Sequence, residues 1–175
     1  MKTQTVKSNK FISFIKKHSE LTLALVKTIV LALALFVSFG VILGVHTATN
    51  EYMNPGVKYH DNVIYSRMGH EIVLRDVIVY KYNGETYLGR VVGLPGDTIS
   101  VDADGYFFNN GHLVYEENIK YSISHSQEIE VTLKDNEYFV LNDDRSQNFD
   151  SRTFGPISKD DVKGKVLIVI RRYGI

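Results

Sequence analysis

The sequence contains no cysteine and no tryptophan, and only three of its 175 residues are proline. Without cysteine, the chain cannot use thiolate catalysis, disulfide bonds or cysteine-ligated zinc. Histidine is present, but His46, His60, His70, His112 and His125 fall on separate predicted strands and loops, without the spacing that a metal site requires. We therefore expect neither a metal nor a cofactor.

Acidic residues are scarce at the start of the chain, where residues 1–45 contain six lysines and only Glu20. Taking these from 20 basic and 20 acidic residues leaves 14 basic and 19 acidic residues in the remainder. The remainder has no Lys/Arg cluster of the kind that follows a nucleic-acid backbone. We predict a basic tail at residues 1–20, a mildly acidic domain at residues 46–175, and no nucleic-acid partner.

Charged residues are also missing between Thr28 and Val45, where the chain reads TIVLALALFVSFGVILGV. These 18 residues would form a helix of roughly 27 Å, close to the roughly 30 Å hydrocarbon core of a bilayer. We therefore predict a transmembrane helix at residues 21–45. Because lysines precede it and none follows directly, we expect a cytoplasmic N-terminus and an extracellular domain on a single-pass protein of the cell membrane.

Two alternatives to a retained anchor remain. A buried core helix is disfavoured, because few helices of a small soluble domain are apolar on every face. A cleaved signal peptide usually has a shorter apolar region followed by a small-x-small site, and the sequence 46–49, His-Thr-Ala-Thr, matches such a site poorly. We favour the retained anchor.

After residue 45, short runs rich in Val, Ile, Tyr and Phe alternate with Gly, Asn and Asp, which predicts strands and turns. The predicted strands are 62–67, 76–81, 86–92, 98–102, 106–108, 112–115, 127–133, 138–142 and 162–171. Asn83-Gly84 and Asn109-Asn110-Gly111 suit hairpin turns that need positive φ, and Glu116–Ser126 is predicted to be a surface loop. With no convincing helix among them, these runs predict a mainly β domain of antiparallel strands.

The densest polar cluster lies at residues 142–152, where three carboxylates and two guanidinium groups fall within 11 residues. Such a run is either a solvated loop or an internally bridged loop that shapes a site. Upstream, Leu94-Pro95-Gly96-Asp97 predicts a turn, because proline fixes φ and glycine adopts positive φ.

In combination, four segments of the chain resemble the ordered boxes of the bacterial type I signal peptidases. They are YMNP (52–55), LRDVIVY (74–80), GRVVGLPGD (89–97) and NDDRSQNFDSRTFGPI (142–157). The resemblance implies a signal-peptidase-like antiparallel β-domain behind one N-terminal membrane helix. It also implies a family that cuts secretory signal peptides with a serine nucleophile and a lysine general base.

Aligned on those boxes, the chain lacks both members of the dyad: the serine falls on Tyr52 and the lysine on Gly89. Asn142 replaces a glycine of the last box, and Asn148 replaces the serine that helps to hold the lysine. Most other positions of these boxes match the family, and we call them the frame. The residues that we expect to form a groove or its scaffold are Met53, Pro55, Arg90, Asp143, Arg145, Asn148, Asp150, Ser151 and Arg152.

These departures predict that the protein is not catalytic. A dyad needs a neutral amine beside a hydroxyl, and neither glycine nor a phenol with a pKa of about 10 supplies it. Tyr52 either plugs the vacated pocket or is a partly exposed residue at the start of a strand. Gly89 either permits close backbone approach or has no structural role, and we favour the second. Relocated groups such as Thr49, Ser66, Lys58 and His60 have no supporting spacing.

Three functions follow from the resemblance. The first is a membrane-anchored, non-catalytic homologue that holds an extended polypeptide and assists pilus assembly, with a pilin precursor and/or a sortase as partner. This role is implied because homologues with degenerate dyads resemble accessory factors encoded with surface pili. The second is an active signal peptidase with unconventional residues. The third is a membrane scaffold without a groove.

Overall fold

The computed structural model describes residues 2–69, 71–104, 106–114 and 128–172, with side chains described from residue 18 onward. The predicted surface loop at Glu116–Ser126 lies outside the described residues. The chain divides into two compact units, Met1–Val41 and Ile42–Ile175.

The first unit is a single long helix, α1 (Lys2–Ile42). Its segment His18–Ile42 is long and apolar enough to cross a membrane, and none of it is buried in the protein. Its hydroxyl groups bond within the helix, as when Thr28 Oγ1 donates to Ala24 O and Ser38 Oγ to Ala34 O. No polar group of these side chains is therefore left unsatisfied in lipid. The helix fits a single-pass membrane protein.

The helix ends at Ile42, three residues before the predicted end at Val45. Residues Leu43–Thr47 instead form the first strand, because they pair with Asn62–Ser66 over five residues. Their apolar composition suits a strand as well as a helix, so only this tertiary pairing decides between the two.

The second unit consists of two antiparallel sheets, which confirms the predicted mainly β fold. The strands are β1 (Leu43–Thr47), β2 (Asn62–Ser66), β3 (Val77–Tyr82), β4 (Glu85–Gly93), β5 (Thr98–Val101), β6 (Phe107–Asn109), β7 (His112–Leu113), β8 (Ile129–Thr132), β9 (Glu137–Leu141), β10 (Ile157–Ser158) and β11 (Val162–Ile170). The larger sheet has the order β1-β2-β11-β3-β4-β9-β10, and the smaller has the order β7-β6-β5-β8. All nine predicted strands occur, with ends shifted by at most two residues.

Both predicted hairpin turns are confirmed. Asn83 and Gly84, with φ of 50° and 86°, join β3 to β4, and Asn110 and Gly111, with φ of 50° and 76°, join β6 to β7. Glycine and asparagine tolerate this left-handed backbone better than other residues do.

Prediction missed four short elements, which are β1, β10, a 3₁₀ helix at Lys159–Asp161 and the one-turn α-helix α2 (Ser151–Phe154). Asp150 caps this helix by accepting a hydrogen bond from Arg152 N. It arises from the polar cluster at residues 142–152, whose structure depends on side chains that bond back to the backbone.

The central strands β3 and β4 separate two apolar clusters. Val79 and Leu88 pack on one face with Met53, Val63 and other residues near β1 and β2. Ile78, Tyr80 and Val91 pack on the opposite face with Val140 and Ile157. Because side chains alternate along a strand, neighbouring residues of β4 enter different environments.

Candidate functional site

The position that the resemblance assigns to the nucleophile lies in the turn between β1 and β2. Tyr52 is half-buried, its backbone N–H donates to Asn50 Oδ1 at 3.2 Å, and its carbonyl accepts from Asp144 N at 2.9 Å. Its ring lies beside that of Phe149, with 6.1 Å between centroids. Tyr52 thus lies in a turn rather than at a strand start, and its half-buried ring packs beside Phe149.

The position that the resemblance assigns to the lysine is a buried residue of β4. A Cβ atom added to Gly89 would lie 3.0 Å from Tyr80 Cε1 and 3.1 Å from Val140 Cβ. Contacts this short leave no space for a longer side chain without movement of these neighbours. Our expectation that Gly89 has no structural role is therefore wrong, because the tyrosine ring and the valine of adjacent strands occupy the space beside it.

Tyr80 fills the space beside Gly89 and is only 1% exposed. Burial raises the pKa of Tyr80 far above its usual value, and the negative charge of Asp150 and the phenol of Tyr87 add to this effect. The phenol consequently stays protonated at physiological pH and cannot serve as a base.

Tyr52 and Gly89 are connected by a group of rings that we call the aromatic cluster, which consists of Tyr52, Tyr80, Tyr82, Tyr87, Phe149 and Phe154. Phe149 is at its centre, with ring centroids 5.1 Å from Tyr87, 5.5 Å from Phe154 and 5.9 Å from Tyr82. Tyr82 stacks on Phe154 at 4.1 Å, and Tyr80 lies 6.0 Å from Tyr87. Apart from Tyr80, every ring of the cluster is only half-buried.

A buried ion pair joins β4 to the segment after β9. Arg90 Nε and Nη2 donate to the two carboxylate oxygens of Asp143, both at 2.6 Å, and Arg90 Nη1 donates to Arg75 O at 2.7 Å. Asp143 is 3% exposed. Gly56 makes room for this carboxylate, because an added Cβ would collide with Asp143 Oδ2. The pair fixes the turn that carries Tyr52 against β4.

A second bidentate ion pair closes the polar cluster. Arg152 Nε and Nη2 donate to Asp150 Oδ1 and Oδ2 at 2.9 and 2.7 Å, and Arg152 Nη1 donates to Arg145 O. Ser151 Oγ accepts from Val140 N at 3.1 Å. Arg145 is 6% exposed, and Asp150 is fully buried. This segment is therefore an internally bridged loop rather than a solvated one.

The two asparagines that depart from the family belong to this loop. Asn142 is 1% exposed, and its side-chain amide donates to Gln147 O and Phe149 O, both at 3.2 Å. Asn148 is exposed, and its carbonyl accepts hydrogen bonds from Thr153 Oγ1 and Asp150 N. The asparagine at 142 thus holds the backbone that carries Phe149 into the aromatic cluster.

The remaining predicted residues, Met53 and Pro55, differ in their exposure to solvent. Met53 is buried in the core at 1% exposure, whereas Pro55 is exposed and follows a cis peptide bond. Of the two roles that we predicted, groove or scaffold, the buried side chain of Met53 is compatible with the scaffold.

The turn Leu94–Asp97 is held by its aspartate. Asp97 Oδ2 accepts from Leu94 N and Asn109 Nδ2, and Oδ1 accepts from Asn110 Nδ2. Burial acts to raise the pKa of Asp97, but these hydrogen bonds outweigh it, so its pKa is lowered. The turn connects β4 to β5 of the smaller sheet.

Of the relocated groups that we considered, none forms an amine–hydroxyl pair in the described part of the chain. Ser66 Oγ donates to Met68 O, and the ring of His60 stacks on Tyr59. Sequence reasoning missed a different pair, in which Lys163 Nζ lies 3.0 Å from Thr86 Oγ1. The two residues are 77 positions apart, so no local signal could have revealed it. Within the described residues, no group of three or more His, Asp or Glu side chains could hold a metal ion.

Comparison with known proteins identifies relatives of this chain. Residues 21–171 match the family model described as "Signal peptidase, peptidase S26". The chain is 32% identical over 124 residues to signal peptidase I P of Bacillus subtilis subsp. natto, covering 65% of this chain and 62% of that protein. It is 29% identical over 153 residues to signal peptidase IB of Staphylococcus aureus, covering 75% and 80% of the two chains.

Among solved structures, a signal peptidase I from Enterococcus faecalis V583 is 27% identical, with a TM-score of 0.48. The match covers 58% of this chain and 100% of that one. Because the family model spans most of the sequence, from within α1 to the end of β11, the chain belongs to the signal peptidase family, peptidase S26.

Proposed function

We propose that this protein is a membrane-anchored, non-catalytic signal peptidase homologue that holds an extended polypeptide at the cell surface. The observation that carries the proposal is the filled space at Gly89, where Tyr80 and Val140 lie within about 3 Å of an added Cβ. A lysine at this position would require Tyr80 and Val140 to move, and the half-buried Tyr52 offers a phenol in place of a serine hydroxyl.

The chemical requirements of peptide cleavage also support a non-catalytic protein. Attack on a peptide carbonyl by a serine needs a base to take its proton, and a general base contributes roughly 10²- to 10⁴-fold in rate. Loss of both nucleophile and base leaves only binding and oxyanion contacts. The ion pairs Arg90–Asp143 and Asp150–Arg152 preserve the frame around this position. The frame therefore supports binding without cleavage.

The aromatic cluster is the proposed contact surface for the polypeptide. Five of its rings are half-buried, and rings of this kind supply large contact areas at low entropic cost. An extended segment would add backbone hydrogen bonds at a neighbouring sheet edge and place alternate side chains against the rings. The lysines at the start of α1, before its apolar segment, and their absence just after it favour an extracellular position for the sheets.

We further propose that the polypeptide is a pilin precursor, presented during pilus assembly together with a sortase. This step rests on the resemblance to degenerate signal peptidase homologues and on no residue of the site. It is tested in cells by comparing pilin polymers in a deletion strain complemented with the wild type or with Phe149→Ala. Polymers with the wild type and their loss with the variant are expected, and polymers in the deletion strain itself would contradict the pilus role.

Absence of cleavage is tested with the full chain in detergent and a precursor that bears a signal peptide. We expect no mature product and no covalent acyl adduct by mass spectrometry. The matched gain-of-function variant combines Tyr52→Ser, Gly89→Lys, Tyr80→Val and Asn148→Ser, and its control omits Tyr52→Ser. Cleavage by the wild type would contradict the proposal.

Binding is tested with a photo-crosslinking amino acid at Asn148, which is exposed beside the aromatic cluster. The matched control position is Lys134, which is exposed in the turn between β8 and β9. We expect adducts with a precursor polypeptide from position 148 only. Equal adducts from both positions, or none from 148, would contradict a binding surface at the cluster.

An active peptidase with unconventional residues is the second candidate. It is favoured by one observation, the 3.0 Å contact between Lys163 Nζ and Thr86 Oγ1, since an amine bonded to a hydroxyl is the arrangement a dyad needs. However, Thr86 lies on the face of β4 opposite to Gly89, next to Leu88 in the other apolar cluster. Cleavage that is abolished by Thr86→Val and by Lys163→Met would establish this candidate.

A further inference from the structure

A cavity of about 150 Å³ lies between the turn after β2 and the start of β11. It has room for roughly five water molecules at about 30 Å³ each. Its walls come from the segments Ser66–Gly69 and Val162–Lys165, with Lys159 and Ile72 at the sides. The cavity is separate from the aromatic cluster and from both ion pairs of the frame.

The lining of this cavity is strongly cationic. Its charged side chains are Arg67, Lys159, Lys163 and Lys165, and no aspartate or glutamate lines it among the residues that the structure describes. Lys165 is paired with Asp76, which lies outside the lining, at 2.8 Å. Lys163 bonds to the hydroxyl of Thr86, which is neutral and so does not compensate the charge of the lysine. The cavity therefore carries an excess of positive charge, which suits an anion.

The cavity adjoins the point at which the chain leaves its apolar helix. Arg67 N donates to the carbonyl of Ile42, the last residue of α1, at 2.8 Å. Ser66, another lining residue, pairs with Leu43 on one side and with Lys165 on the other. Within the unit Ile42–Ile175, the cation-lined cavity thus lies one strand from Leu43, the residue that directly follows α1.

Exposed apolar side chains accompany these cations. Met68, next to Arg67 in the cavity wall, is 60% exposed. Val45 and Ile168, which are 68% and 54% exposed, both pair with Ile64 across β1, β2 and β11. Apolar residues beside lysine and arginine are typical of surfaces that lie at the boundary between headgroups and acyl chains.

We propose that this cavity binds the phosphate of an anionic phospholipid headgroup in the leaflet next to the end of α1. The four cations supply the charge complementarity, and the covalent link through Ile42 and Leu43 brings the cavity to the lipid. The exposed apolar residues favour a lipid over a free phosphate, because a soluble ion gains nothing from them. The site would act whether or not the protein cleaves peptides.

The test uses the full chain in detergent micelles and measures bound lipid by native mass spectrometry. Phosphatidylglycerol and phosphatidylcholine of the same acyl chains are offered in equal amounts, and inorganic phosphate is offered separately. The site variant is Arg67→Gln/Lys159→Gln, which keeps the Lys165–Asp76 pair. The control, Lys81→Gln/Lys134→Gln, removes the same charge at exposed positions outside the cavity.

We expect the wild type and the control to prefer phosphatidylglycerol, and the site variant to lose roughly tenfold or more of that preference. The wild-type preference should also fall as ionic strength rises, which requires no variant to fold. Equal binding of the two lipids by the wild type, an unchanged preference in the site variant, or a salt-independent preference would overturn the proposal. Binding of inorganic phosphate without preference for phosphatidylglycerol would overturn the lipid assignment.

Discussion

Two neighbouring residues of β4, Gly89 and Arg90, belong to regions of opposite character. On the side of Arg90, the ion pair with Asp143 joins β4 to the segment after β9 through a short, bidentate contact. On the side of Gly89, the ring of Tyr80 and the side chain of Val140 fill the space. Because alternation along a strand separates the two sides, the frame can persist when the groups beside it change. A change of side chain at position 89 therefore need not disturb the ion pair at position 90.

The largest expected effect comes from breaking the frame. Asp150→Asn leaves the guanidinium of Arg152 without its buried carboxylate and should lower the free energy of unfolding by about 3–5 kcal/mol. Urea unfolding of the full chain in detergent, followed by tyrosine fluorescence, measures it. The control Asp135→Asn removes an exposed carboxylate and should change stability by less than about 0.5 kcal/mol. A similar, small effect of both variants would show that the loop is not held by this pair.

A smaller effect on stability is expected when a larger side chain replaces Gly89. Gly89→Leu should lower the free energy of unfolding by about 1–3 kcal/mol, because Tyr80 and Val140 must move. In a Tyr80→Val background the same change should cost less, and the double-mutant cycle measures the coupling. Equal costs in both backgrounds would mean that Tyr80 does not fill the space that a side chain at 89 needs.

The centre of the aromatic cluster should tolerate truncation better than the frame does. Phe149→Leu removes the ring contacts with Tyr87 and Phe154 but keeps apolar volume, so we expect a loss of about 1 kcal/mol in the free energy of unfolding. Near-ultraviolet circular dichroism of the tyrosines should change at the same time. A loss of stability as large as that of Asp150→Asn would show that the aromatic cluster stabilises the domain as strongly as the ion pair does.

The smallest effect concerns Asp97, which lies in neither region. Because hydrogen bonds lower its pKa in the folded state, its contribution to stability is present above the ordinary value of 3.8 and is lost as the pH falls below it. Asp97→Asn should cost less than about 1 kcal/mol at pH 7, since the group is partly exposed, and still less at pH 3. Unfolding at both pH values checks this, and a cost that grows toward pH 3 would contradict it.

The strands and turns were predictable because they depend on local signals. Runs rich in Val, Ile and Tyr located β3 and β4, and Asn83-Gly84 located the hairpin between them. The end of α1 was not predictable, since Leu43–Thr47 becomes a strand only through its pairing with β2.

The site was predictable only in part. The ordered boxes identified Tyr52 and Gly89, but not what fills the space between them. Tyr80 lies in β3, whereas Phe149 and Phe154 lie about 70 residues later in the segment 142–157, and the rings of the two segments meet only in the folded chain. The contact between Lys163 and Thr86 is equally remote in sequence. Distances between such residues depend on strand order, which local patterns do not encode.

Strand β1 begins at Leu43, directly after Ile42, the last residue of α1, so no linker separates the helix from the first strand. Each residue of an extended linker would add up to about 3.3–3.6 Å of reach, and here there is no such residue. Under the proposed function, a polypeptide that the sheets hold would therefore have to come to them, rather than be reached by a domain on a long linker.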